Sequence, residues 1–150
     1  MKSEIFKNIV IATDGSENSL NAVKHAIEFA RISEAKLFVV FVVDTGAFAS
    51  IPVDMALGNM YEILKKEGDE AVKHVEDLAK KVGLEIESYN VEGHPAEEII
   101  KISENVSANL IVMGTLGKSG LDRFLLGSVA EKVSRNSKIA VMVVRGERPK

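Results

Sequence analysis

The chain has 150 residues, of which 46% are hydrophobic and 27% charged, a balance that suits one compact domain with a sizeable core. Its formal net charge of −3 argues against a general nucleic-acid binder, because such proteins carry a basic face. The absence of cysteine excludes disulfides, thiol catalysis and cysteine-bound zinc.

The N-terminus, MKSEIFKNIVIATDGS, lacks the form of a signal peptide: its apolar run is short and no small-residue cleavage site follows. LFVVFVV, the longest apolar run, is too short to span a bilayer. The expectation is a cytoplasmic protein that binds no membrane and no nucleic acid. NIVIAT (8–13) is short, apolar and β-branched and ends at Asp14-Gly15, which predicts a buried strand. Leu20, Val23, Ile27 and Ala30 recur at steps of three and four, so a helix with one apolar face follows, with Ser16 as its cap. KLFVVFVVD (36–44) is apolar throughout, as expected of a strand covered on both faces.

Residues 45–56 have no period and contain Pro52, which predicts a loop or a fraying helix start. A helical period runs from Leu57 to Val82 and misses a step at Gly68, where a kink or break is expected; Gly83 stands where a helix stop belongs. LEIESYNVEG (84–93) alternates, as an edge strand does. Pro95 opens a helix through Ile99, Ile100 and Val106. NLIVMG (109–114) is a buried strand, Val129 and Val133 mark a short helix, and KIAVMVVR (138–145) is the last strand. The order βαβαβαβαβ implies a single domain spanning 1–150 with an open parallel sheet, right-handed crossovers and helices on both faces. In the doubly wound order 3-2-1-4-5 the loops after the first and fourth strands face each other across the ligand crevice.

The fourth strand opens into GTLGKSGLDRFLLGS (114–128). Its GKS is not a P-loop, because that motif requires glycine where Val112 stands. The dinucleotide fingerprint does not follow the first strand, and Ser119 lacks the second glycine of a nucleophile elbow. What remains is Gly114-x-x-Gly117, nine residues, then Gly127-Ser128. Gly114 and Gly117 leave main-chain N–H groups free to curl round an anion. Gly127-Ser128 opens a helix whose N-terminal amides favour phosphate. Amides converging from two sides suit a polyphosphate.

This arrangement closely resembles the ATP-binding branch of the universal stress protein family, whose signature is G-x2-G-x9-G-[S/T]. The likeness covers essentially the whole chain: IVIATDGSENSLNAVKHAIEFA, VVFVVD, VEGHPAEEII and GSVAEKVSRNSKIAVMVVR. The resemblance implies ATP as the bound ligand, with Mg2+ held through its phosphates. It places Ala12, Thr13 and Asp14 against adenine and ribose, and the main chain of Val42 on the adenine edge. Met113 and Gly114 would floor the site, and Leu116, Gly117, Gly127, Ser128 and Val129 would surround the phosphates. It further implies a homodimer through the last strand, Ile139 to Val144, which is an apolar sheet edge of the kind that pairs with another chain. Two positions depart from the family pattern. Leu116 stands where a polar or basic residue is common, and Ala140 where a proline often precedes the last apolar run.

Plainer readings stand beside these. Gly114 and Gly117 also suit a tight strand exit. Ser128 with Glu131 forms a capping box, and Asp14 suits a turn into a helix. Lys118 and Arg123 suit solvated loop charges. His25, His74 and His94 lack metal-ligand spacing. No residue pair has the form of a nucleophile with its base, so the expectation is ATP binding with slow or no hydrolysis, in a regulatory or stress-response role. A slow ATPase or nucleotidyl transferase, and a nucleotide-free adaptor, remain as alternatives.

Overall fold

The computed structural model describes residues 2–48, 55–115 and 127–146. The elements run β1 (Asn8–Ala12), α1 (Glu17–Ser33), β2 (Lys36–Asp44), a 3-10 turn (Thr45–Phe48), α2 (Met55–Lys81), β3 (Ile86–Gly93), α3 (Pro95–Asn105), β4 (Leu110–Gly114), α4 (Ser128–Asn136) and β5 (Ala140–Val144). All four strand pairs are parallel, in the order β3-β2-β1-β4-β5. This is the expected 3-2-1-4-5 sheet.

Alternation along the strands divides the core into two layers. Ile9, Ile11, Val39, Phe41 and Val43 point to α1 and α2, where they meet Val23, Ala26, Val72 and Val75. Val10, Ala12, Phe38, Val40 and Met113 point to α3 and α4, where they meet Ile99, Ile102 and Val133. Each fully buried aliphatic side chain contributes roughly 1.5–3 kcal/mol, so the central strands are held from both faces.

Local signals act as expected at several ends. Ser16 caps α1 by accepting the Ser19 N–H, Pro95 stands in the first turn of α3, and Gly83 follows α2 with a φ of 77° that suits glycine. Two expectations are corrected. Gly68 does not break α2, which runs continuously through it; the residue is buried against the sheet. Nor does Ser128 form a capping box with Glu131. The cap is Gly127, one residue earlier, and Ser128 is already helical. Glu131 instead pairs with Arg135 one turn on. The 45–56 loop resolves into the 3-10 turn and the start of α2, with 49–54 outside the described residues.

β5 is a sheet edge, as expected, and Ala140 to Val143 are exposed or half-buried. The Val144 carbonyl accepts the Thr115 N–H at 3.1 Å, so Val144 turns its main-chain groups toward β4. Strand alternation then turns those of Val143 outward, to the open edge. Among the described residues no helix is long and apolar enough to cross a membrane.

Candidate functional site

A cavity of about 440 Å³ opens at the carboxyl ends of β1, β2 and β4, within the range of roughly 300–1,000 Å³ typical of small-molecule sites. It lies where the strand order reverses, at the β1/β4 junction. Of the residues expected from sequence, Ala12, Thr13, Asp14, Val42, Met113, Gly114, Gly127, Ser128 and Val129 all line it. Leu116 and Gly117 lie outside the described residues.

The first wall is the turn after β1. Asp14 accepts the Ser16 N–H at 3.0 Å, and the Gly15 N–H reaches Thr13 Oγ1 at 3.2 Å. Gly15 has a φ of 80°, a conformation glycine adopts without strain. The Thr13 hydroxyl is held at 3.0 Å from Ser19 Oγ, and Ser19 donates to the Ser16 carbonyl at 2.9 Å. A hydroxyl has one proton, so Thr13 is the donor to Ser19. The Thr13 side chain is therefore committed to closing the turn.

The second wall is β2, and its geometry follows from the ladder. Lys36 N donates to Lys7 on the β1 side at 2.9 Å, Leu37 N to Glu85 on the β3 side at 3.0 Å, and the Val40 carbonyl accepts Thr13 N at 3.0 Å. Even-numbered residues of β2 thus face β1 and odd-numbered ones face β3. Val42 faces the β1 side, but the β1–β2 register ends at Ala12↔Val40. One donor and one acceptor of the Val42 main chain consequently meet the cavity instead of a strand. Asp44, at the end of β2, accepts the Gly46 N–H at 2.9 Å.

The third wall is the start of α4. The first intrahelical bond runs from Glu131 N to Gly127 O at 2.9 Å, which leaves the amides of Ser128, Val129 and Ala130 without helical acceptors. All three residues line the cavity. These amides and the helix dipole make this end attractive to an anion. The Gly127 amide is engaged by the Thr115 carbonyl at 2.5 Å. Gly127 has a φ of −63°, which any residue adopts, so positive φ is not the reason for glycine there. Gly114 has a packing reason: a Cβ on it would lie 3.1 Å from the Asn18 carbonyl oxygen of α1.

Sequence reasoning missed the apolar wall of the cavity. Val40, Phe41, Val43, Leu64, Ile99 and Ala130 join it, and only the tertiary fold brings Leu64 of α2 to the end of β2. The charged side chains among the described lining residues are Asp14 and Asp44. Among the described residues no group of three His, Asp or Glu is placed to hold a metal ion by itself. His25 and His74 are exposed on their helices, as expected, and His94 precedes α3.

Comparison with known proteins places these features in a wider set. The description Universal stress protein family matches residues 5–145. The chain is 46% identical to the universal stress protein MJ0531 of Methanocaldococcus jannaschii over 141 residues, which is 94% of this chain and 83% of that protein. Its fold superposes on the solved structure of the hypothetical protein MJ0577 with a TM-score of 0.85 and 30% identity, covering 97% of this chain and 99% of that one. It also superposes on a universal stress protein solved in complex with cAMP, with a TM-score of 0.69 and 30% identity over 96% and 100% of the two chains.

Proposed function

The chain belongs to the universal stress protein family, and from that premise we propose that it binds ATP and serves as a nucleotide-responsive regulatory protein. One observation carries the reading. Among the described residues, the main chain of Val42 stands without a strand partner on one side of the cavity, and the amides of Ser128, Val129 and Ala130 stand without acceptors on another. Adenine presents an exocyclic amine donor beside a ring-nitrogen acceptor, which complements one N–H and one C=O. The phosphates complement the helix amides. Phe41, Leu64, Ile99 and Met113 supply apolar surface for the base. A structural relative solved in complex with cAMP supports a nucleotide as the class of ligand.

Asp14 and Asp44 bring negative charge to a site that would receive a polyanion. Mg2+ held through the ATP phosphates would offset this charge, and the Asp14 oxygen not bound to Ser16 would be available to it. Met113 and Gly114 floor the site; Leu116 and Gly117, outside the described residues, keep the phosphate role that the family resemblance implies. Asp14 and Asp44 each have one carboxylate oxygen tied to a neighbouring amide. No residue pair has the form of a nucleophile with its base, and general-base catalysis needs such a group within hydrogen-bond reach of the attacking water, so hydrolysis is slow or absent. The protein acts in the cytoplasm as a homodimer joined along β5.

The test is direct. Acid extraction of the purified protein, with identification of the released nucleotide, is expected to yield ATP, and calorimetry on the stripped protein to show binding. The reading is overturned if no nucleotide is released and ATP gives no binding heat. A turnover of about 1 per second or above that is lost in a binding-deficient variant would replace it with an ATPase.

A further inference from the structure

Gly68 is an interior glycine of a 27-residue helix, where glycine weakens the helix relative to alanine. Its place is explained by what it touches. A Cβ on Gly68 would lie 2.5 Å from Phe41 Cδ1, 2.7 Å from Asn90 Oδ1 and 2.8 Å from Asn90 Nδ2. Neither neighbour can step aside freely. Asn90 Nδ2 donates to the Lys65 carbonyl at 2.8 Å and to Asp69 at 2.7 Å, and the Asn90 carbonyl accepts from the Lys65 ammonium. Phe41 is 3% exposed, and its far edge, Cε2, lies 3.9 Å from the Cβ position of Gly15 in the β1–α1 turn. The ring is thus confined between α2 and the turn that carries Asp14, and it lines the cavity between Val40 and Val42.

We infer that Gly68 is a positioning residue for the nucleoside end of the cavity: its missing side chain admits the Phe41 ring, and the ring sets the shape of the apolar wall. A side chain at Gly68 drives the ring toward the Asp14 turn and the cavity, while the anion end at α4 lies on the opposite layer and is untouched. The inference rests on the reading of this cavity as a nucleotide site.

The experiment titrates adenosine and inorganic triphosphate separately into the native protein, Gly68→Ala, and the double variant Gly68→Ala/Phe41→Leu, with circular dichroism on each. Native protein is expected to bind both ligands. Gly68→Ala is expected to lose adenosine affinity tenfold or more, on the order of one hydrogen bond or apolar contact, with triphosphate affinity within about twofold. The double variant, which relieves the contact with the ring but not that with Asn90, is expected to recover part of the loss. If Gly68→Ala does not fold, Phe41→Leu alone is expected to weaken adenosine severalfold and leave triphosphate unchanged. Unchanged adenosine binding, an equal loss of both ligands, or no recovery in a folded double variant each overturn the inference while leaving the nucleotide site in place. A native protein that binds neither ligand overturns the site and the inference together.

Discussion

Thr13 donates its amide to the Val40 carbonyl at 3.0 Å, and this is the last rung between β1 and β2. β2 continues to Asp44 with no described strand beside it on that edge. The surplus length of one strand over its neighbour creates a main-chain recognition surface that no side chain supplies.

That surface predicts base selectivity. Val42 offers one donor and one acceptor toward the cavity, and adenine matches them, whereas guanine presents an acceptor and a donor in the reverse sense. Two mismatched hydrogen bonds weaken binding by roughly 1–3 kcal/mol. Calorimetry is expected to give ATP about tenfold or more tighter binding than GTP. Equal affinities would remove the Val42 contact.

The anion end can be altered without breaking its helix. Ser128 is the first helical residue of α4, and Gly127 before it has φ −63° and ψ 157°. Proline fits a first helical position, and an extended residue is what precedes it comfortably. Ser128→Pro therefore deletes one free amide while α4 persists. A hydrogen bond to a charged group contributes about 1.5–3 kcal/mol, so ATP affinity is expected to fall tenfold or more, with adenosine affinity nearly unchanged. Similar losses for both ligands would place the phosphates elsewhere.

The β5 edge predicts assembly. Val143 turns its main-chain groups outward, away from β4, because Val144 turns inward to Thr115. Proline at 143 removes a donor that serves no bond among the described residues. Sedimentation is expected to show a homodimer at micromolar concentration and a dimer at least tenfold weaker in Val143→Pro, with circular dichroism unchanged. A native monomer would rule out the dimer, and an undiminished dimer in the folded variant would move the interface.

A surface pair predicts a pH dependence. Lys36 donates to Glu87 at 2.8 Å, and the Tyr89 hydroxyl reaches the same carboxylate at 3.2 Å. The hydrogen bond from Lys36, reinforced by its charge, holds the Glu87 carboxyl below its ordinary range. A carboxyl lowered on folding adds stability above its unfolded pKa, and this is lost as pH falls through the folded value. Glu87→Gln is therefore expected to be less stable than native protein at pH 7 and to converge with it in acid. Urea unfolding at both pH values checks this, and a gap that persists in acid would show that the pair is not its cause.

The sequence by itself determined the elements, their order and most of the cavity's rim. Apolar runs at 36–44 and at Leu110–Met113, the three-and-four period of α1, Ser16 as a cap and Pro95 in the first turn of α3 are local features. Backbone sterics and hydrophobic period act within a few residues, so they are legible one segment at a time. The G-x2-G-x9-G-S spacing pointed to the correct end of the sheet for the same reason: loops that leave strands sit at strand ends. Tertiary structure decided the rest. Whether Gly68 breaks α2 depends on Phe41 and Asn90, which lie 27 and 22 positions away in the chain; packing across the sheet carries the helix through a residue that is weak in isolation. The N-cap of α4 is Gly127, whose amide is held by the Thr115 carbonyl from the end of β4. The open main chain of Val42 depends on where β1 stops beside β2. A residue's own chemistry does not say which partner it lacks. That is settled only when segments distant in the chain are brought to the same height in the sheet.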